Sequence, residues 1–162
     1  MEPIAQRLWA LARNAVYVTA IPGVVLYFIP HLAGAFSHPR SAAWLALAAL
    51  PGLLGAALIL FCLFKFAWDG LGTLAVFDAP RKLVLRGPYR YTRNPMYVGV
   101  IACLLAGSIA YAGEFFPIFA LAALLCVNLF VRFYEEPTLR RKFGDSYRQY
   151  CQEVPRWFRL SR

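Results

Sequence analysis

Charge is scarce in this chain, and negative charge is scarcest. Only 15% of its 162 residues are charged, and 8 Asp and Glu stand against 17 Lys and Arg. A soluble domain runs nearer a quarter charged and half apolar. A chain that is 60% hydrophobic with positive mean hydropathy does not read as one. Covalent catalytic machinery is missing too. The two histidines, His31 and His38, have no carboxylate nearby in sequence, and no Ser-His-Asp or Cys-His pattern occurs. The four cysteines, Cys62, Cys103, Cys126 and Cys151, form no CxxC pair, and three lie inside apolar segments. They read as small packing residues, which leaves no metal site and no disulfide framework. A cleavable signal peptide is absent as well: the first apolar run is long and has no convincing small-residue cleavage site, so it is expected to stay as an anchor.

What the chain does have is long uncharged runs with basic connections. The length suits one domain. Met1 to Asn14, with Arg7 and Arg13 around Trp9, reads as a short interfacial helix. Ala15 to Phe36 is uncharged and meets the roughly 20 residues a bilayer span needs, with Pro22 and Pro30 expected to bend it or end it. Ala42 to Phe64 is a second span, and Ala48, Gly52, Gly55 and Ala56 offer small-residue faces for close helix packing. Lys65 and Trp68 mark its exit into the interface. Met96 to Gly113 and Phe115 to Val131 give two shorter spans, and the turn at Ala112-Gly113-Glu114 predicts an antiparallel hairpin. Asn128, the strongly polar side chain of the last span, is expected to bond a neighbouring helix or face a cavity.

Beyond Arg132 the character changes. Glu135-Glu136-Pro137 leads into a basic tail in which Leu139, Phe143, Tyr147, Tyr150 and Val154 form an apolar stripe at helical spacing. Gly144 is expected to end one helical piece and Asp145 to cap the next. The whole segment is read as lying along the membrane surface or folding over the central loop. Arg40 alone among the cations falls in the connection after the first span, and the connection after the third has none. Four spans with both termini inside satisfy the positive-inside rule. That topology puts the central loop and the Glu135 tail together in the cytoplasm. With the basic residues beside apolar spans, anionic lipid headgroups and an anionic substrate or cofactor group are expected partners rather than nucleic acid.

The central loop is Arg86-Gly87-Pro88-Tyr89-Arg90-Tyr91-Thr92-Arg93-Asn94-Pro95-Met96-Tyr97-Val98-Gly99. Gly87-Pro88 reads as a turn. Asn94-Pro95 reads as a helix start, with Asn94 accepting from orphan N–H groups and Pro95 in the first turn. A helix N-terminus beside Arg86, Arg90 and Arg93 suits carboxylates or phosphates.

This stretch resembles the signature of the isoprenylcysteine carboxyl methyltransferase and phospholipid methyltransferase superfamily. The resemblance extends upstream to Arg81-Lys82-Leu83-Val84. It resumes at Glu135-Glu136 and Phe143-Gly144-Asp145-Ser146-Tyr147, and ends at Val154-Pro155-Arg156-Trp157. It implies an all-α integral membrane enzyme of about four spans, with 1–68 as anchor helices and 69–162 as the catalytic half. It further implies S-adenosylmethionine as cofactor, released as S-adenosylhomocysteine, and a lipophilic acceptor. The cofactor positions it implies are Arg81, Lys82, Leu83, Val84, Tyr89, Asn94, Pro95, Met96, Tyr97 and Glu135, and Arg132 or Arg93 would hold the acceptor's anionic group. Asn94 departs from the histidine common in the isoprenylcysteine enzymes, so no general base is expected there. A sterol-reductase-like enzyme using NADPH and a non-catalytic membrane scaffold are the competing readings. The acceptor and the oligomeric state are left open.

Overall fold

The computed structural model describes residues 23–65 and 87–158. The expected interfacial helix at the N-terminus, the first part of the first span, Trp68, and the implied cofactor positions Arg81, Lys82, Leu83 and Val84 lie outside the described residues. Within them the chain is helical, with a lone antiparallel bridge between Pro39 and Tyr111. A π-helical turn, Val24–Phe28, runs into α1 (Ile29–Leu32); α2 is Ala42–Lys65, and a 3-10 turn covers Gly87–Arg90. Then come α3 (Pro95–Ala110), α4 (Phe115–Phe130), a second π-helical turn at Val131–Glu135, and α5 (Glu136–Glu153).

Both π turns stand one residue ahead of a proline. The N–H of Ile29 bonds the Val24 carbonyl ahead of Pro30, and the N–H of Glu136 bonds the Val131 carbonyl ahead of Pro137. A proline inside a helix has no N–H to donate, and its ring collides with the carbonyl four residues back. Widening the preceding turn by one residue makes room without breaking the rod. The first span therefore carries its helix through Pro30 to Leu32, and α4 passes without interruption into α5.

Two helices, Ala42–Lys65 and Phe115–Glu153, are long and apolar enough to cross a membrane, and Pro95–Ala110 is a shorter apolar helix. Their outward faces carry Leu47, Leu50, Leu53, Leu54 and Leu60 on α2 and Leu121, Leu124, Leu125 and Leu129 on α4, all exposed. Apolar surface on that scale needs a nonpolar surround.

The central packing is α2 against α3. Gly55 and Gly99 sit backbone to backbone: a Cβ on Gly55 would lie 2.6 Å from the Gly99 carbonyl, and one on Gly99 would lie 2.7 Å from the Gly55 carbonyl. Gly52 and Ala48 share this face, as the small-residue pattern predicted. On the other side of α3, the Phe116 ring lies on Gly107. There Leu104, Phe116 and Ala120 form a core that Phe36 and Tyr111 extend. Hydrogen bonds from Arg40 N–H to Ala110 and from Ala112 N–H to His38, both 2.9 Å, tie the two connections at this end of α3. His31 stacks on Tyr27 in the same region. The signature loop is at the other end of α3.

α5 turns back on itself. At Gly144 the backbone takes φ 54, ψ −126, a conformation a side-chain-bearing residue rarely adopts. A straight 18-residue α5 would carry the tail roughly 27 Å away. The reversal instead lays Tyr147, Tyr150 and Val154 against Leu139, Phe143 and Cys151, and returns the chain to α4. The returning segment packs over the central loop, with the Tyr150 hydroxyl on the Tyr89 carbonyl.

Candidate active site

The site is assembled at the α3 N-terminus from three stretches far apart in sequence. The first is the signature loop. Its 3-10 turn starts at Gly87, whose φ of 67 is the positive value expected of a glycine turn. It buries Tyr89 against Cys62 of α2, with Leu58 and Met96 closing the cluster. The hydroxyl of Tyr150 in α5 donates to the Tyr89 carbonyl at 2.7 Å, so the second half of α5 pins this turn.

The second is the carboxylate pair, and the two members have separate tasks. Glu136 is buried and faces cations on three sides. Arg156 gives it a two-pronged contact at 2.7 and 2.9 Å, Arg93 approaches at 3.3 Å, and Arg140 at 3.8 Å. Its side chain is 5% exposed and that of Arg93 11%, so this is an interior charge cluster, whereas Arg140 is 57% exposed and adds little. Burial opposes ionisation of Glu136, but the Arg156 hydrogen bonds and the Arg93, Arg156 and Arg140 charges outweigh it and hold its carboxyl below the usual carboxylate range.

Glu135 has no such support. Its carboxylate accepts one hydrogen bond, from the Tyr97 hydroxyl at 3.2 Å. Burial pushes its carboxyl up, the Glu136 charge adds to that, and the Tyr97 bond only partly opposes them. A carboxylate with a raised pKa and, among the described residues, no cation against it is suited to receive one.

The third stretch is the extended tail after α5. The Arg93 N–H donates to the Pro155 carbonyl at 3.0 Å, and the Arg156 carbonyl accepts from both the Thr92 hydroxyl, at 2.9 Å, and the Asn94 side-chain amide, at 3.0 Å. The Trp157 indole N–H donates to the Asn128 carbonyl oxygen at 3.2 Å. Among the described residues, the polar residue of the last span thus bonds the tail.

Asn94 also differs from its expected role. It occupies the N-cap position of α3, but its side chain makes no capping bond, and its amide N–H2 donates instead to the Arg156 carbonyl. The first turn of α3, with Pro95 donating nothing, has no side-chain cap. Arg93 is drawn inward, paired with Glu136 and donating to the Cys151 sulfur, so its guanidinium serves the charge cluster. Arg132 points the other way: it is exposed in the π turn, 5.5 Å from the Phe133 ring, and among the described residues makes no ion pair.

Of the positions implied by resemblance, Tyr89, Asn94, Pro95, Met96, Tyr97 and Glu135 therefore gather at one end of α2 and α3. Arg93 belongs to the adjoining charge cluster, and Arg132 sits at the outer edge. Sequence reasoning gave no role to Thr92 or the Arg156 carbonyl, and read Tyr150 as part of an apolar stripe and Cys151 as a packing residue, outside the site. Main-chain acceptors leave no residue-type signal, and the Val154-Pro155-Arg156-Trp157 motif was the only pointer to them. A cavity of about 490 Å3 lined by Arg90, Ser146, Gln149, Tyr150, Glu153 and Val154 lies outside this group, since neither Tyr97 nor Glu135 borders it.

The surround fits S-adenosylmethionine. A carboxylate and a tyrosine meet here, the residue types that a sulfonium cation requires. Uncapped N–H groups stand nearby for a carboxylate, and Tyr89, Met96 and Leu58 provide an apolar wall. Among the described residues no group of His, Cys, Asp and Glu is placed to hold a metal ion.

Comparison with known proteins gives the family. The sequence profile described as phospholipid methyltransferase matches residues 44–146, from the start of α2 into α5. An uncharacterized protein of Haemophilus influenzae is 36% identical over 62 residues, which is 38% of this chain and 98% of that protein. No solved structure matches.

Proposed function

Because the chain belongs to the phospholipid methyltransferase family, we propose that it is a multi-pass membrane enzyme methylating a lipophilic acceptor with S-adenosylmethionine. The observation that carries the reading is the meeting of Tyr97 and Glu135, 38 residues apart, at 3.2 Å beside the Tyr89 cluster. When bound, the cofactor supplies an electrophilic methyl group on a cationic sulfonium. Glu135 and Tyr97 balance that charge. Tyr89 and Met96 give the adenine an apolar wall, and Asn94 and the first turn of α3 receive the carboxylate end. In-line displacement asks the protein mainly to align the partners and exclude water, and the close-packed α2–α3 interface is suited to both.

Arg132 is the better of the two arginines for the acceptor's anionic group, since Arg93 already neutralises Glu136. It stands where α4 leaves its apolar stretch, beside exposed Phe133 and Tyr134, and a lipophilic acceptor would arrive sideways from the bilayer at that level. Four spans, the last two a hairpin of α3 and α4, with both termini and the site in the cytoplasm, complete the reading. The family assignment favours neither a sterol-type reductase nor a scaffold.

The test is calorimetric titration of detergent-purified protein with S-adenosylmethionine, S-adenosylhomocysteine and NADPH, followed by radiolabelled methyl transfer to carboxylate, amine and thiol acceptors. Saturable binding of the first two supports the reading. Binding of NADPH alone, or of none by folded protein, defeats it.

A further inference from the structure

The tail places two residues that the methyltransferase reading does not use, Thr92 and Arg156. The Thr92 hydroxyl is buried and engaged twice: it donates to the Arg156 carbonyl at 2.9 Å and accepts from the Asn94 backbone N–H at 3.2 Å. Asn94 donates to that same carbonyl through its side chain. Asn94 is thus tied to the tail through its side-chain amide directly and through its backbone N–H by way of Thr92.

The arrangement runs against local preference. Asparagine is among the best N-cap residues, and its capping bond contributes on the order of 1 kcal/mol. Here it stands at the cap position with the right neighbour, Pro95, and does not cap. Local rules are set aside where function gains from it.

The tail is itself fixed at two points. The Arg156 guanidinium is held by Glu136, and the Trp157 indole by Asn128 near the end of α4. The Arg93 N–H to Pro155 bond adds a main-chain tie. A segment so anchored holds its carbonyl at a set height above the α3 entrance.

We propose that residues 154–157 form a positioning strap, with Thr92 and Arg156 as positioning residues that hold the Asn94 side chain off the α3 N-terminus and in the orientation the cofactor meets. The inference rests on the methyltransferase reading for the identity of the ligand, and concerns how the loop is kept ready for it. Without the strap, Asn94 swings back to cap its own helix and covers the N–H groups of the first turn.

The experiment compares Thr92→Val and Thr92→Ser in the full-length, detergent-purified chain, titrated with S-adenosylhomocysteine and followed in parallel by thermal unfolding. Valine keeps the volume and loses the hydroxyl, whereas serine keeps the hydroxyl and loses a methyl. The strap predicts about tenfold weaker binding for Thr92→Val and binding within about twofold of wild type for Thr92→Ser. A role in packing alone predicts the reverse order. A second variant acts at the far anchor: Trp157→Phe with Asn128→Leu removes both partners of one hydrogen bond, which leaves stability nearly unchanged. It is expected to weaken binding several-fold with the unfolding midpoint held, and it decides the matter if Thr92→Val does not fold. Wild-type binding with Thr92→Val and the double variant both unaffected overturns the strap. Equal losses in Thr92→Val and Thr92→Ser overturn it as well. Failure of the folded wild type to bind S-adenosylhomocysteine defeats the methyltransferase reading itself.

Discussion

Glu135 and Glu136 are neighbours in sequence with opposite energetic roles, and substituting each by glutamine separates them. Glu136→Gln removes a buried anion from between Arg156 and Arg93, leaving two guanidinium groups without their counter-charge and one amide N–H2 facing them. Arg140, more than half exposed, contributes at most about 1 kcal/mol of the loss. Arg93 and Arg156 account for the rest, and breaking a buried pair from one side costs about 3–5 kcal/mol. At about 2–4 °C per kcal/mol for a chain of this size, the unfolding midpoint should fall by on the order of 10 °C. Glu135→Gln should leave the midpoint where it is or raise it, because burial already disfavours the Glu135 charge. It should instead abolish measurable S-adenosylmethionine binding, because the sulfonium loses its counter-charge.

The pH dependence has opposite signs at the two residues. The Glu136 carboxyl is held low in the folded protein, so its contribution is complete above the ordinary carboxylate range and disappears as pH falls through its depressed folded value. The Glu135 carboxyl is held high, so the folded protein binds this proton more tightly than the unfolded chain does, and ionised Glu135 costs stability as pH rises through its folded value. Any midpoint advantage of Glu135→Gln at neutral pH should therefore vanish on acidification. The assays are thermal unfolding of purified protein between pH 4 and 8, and calorimetric titration at pH 7. Equal destabilisation by the two substitutions, or full binding by Glu135→Gln, refutes the division of roles.

Three further outcomes follow from the same geometry. Tyr97→Phe removes the hydrogen bond that the Glu135 carboxylate accepts among the described residues; a bond to a charged group is worth about 1.5–3 kcal/mol, so affinity for S-adenosylmethionine should drop at least about tenfold with the fold intact. Cofactor binding should weaken on acidification at a higher pH than an ordinary carboxylate would produce, since a protonated Glu135 cannot balance a cation, and Glu135→Asp should retain part of the binding. Gly144→Ala puts a Cβ at φ 54, ψ −126, costing about 1–3 kcal/mol; the midpoint should fall by several degrees and ligand affinity with it, because the tail can no longer return to Asn94. An unchanged Gly144→Ala would show that the reversal in α5 is not needed to close the site.

Much of this was legible in the chain. Uncharged runs bounded by arginine, lysine and tryptophan marked the helices, because burying backbone in a nonpolar surround leaves few alternatives to a helix. The small-residue face of α2 was visible as Gly52 and Gly55, since only residues without bulk permit backbone contact. Gly144 marked a break because few other residues accept its dihedral angles. The motif residues Tyr89, Asn94, Met96, Tyr97 and Glu135 were readable as a set.

Their division of labour was not. Whether Glu135 or Glu136 is neutralised depends on which one the returning tail reaches, and that is fixed by the π turn ahead of Pro137 and the reversal at Gly144 acting together. Asn94 looked like a helix cap because capping is a local preference, but in the fold its side-chain N–H2 donates to a main-chain carbonyl 62 residues away and the capping bond is not made. Arg93 looked like a ligand-facing cation until folding placed Glu136 beside it. Sequence alone determined the helices, the membrane setting and the family, because those follow from composition and short-range spacing. Tertiary structure alone decided which of the described polar groups satisfy one another, because pairing energies depend on distances that only the folded chain sets.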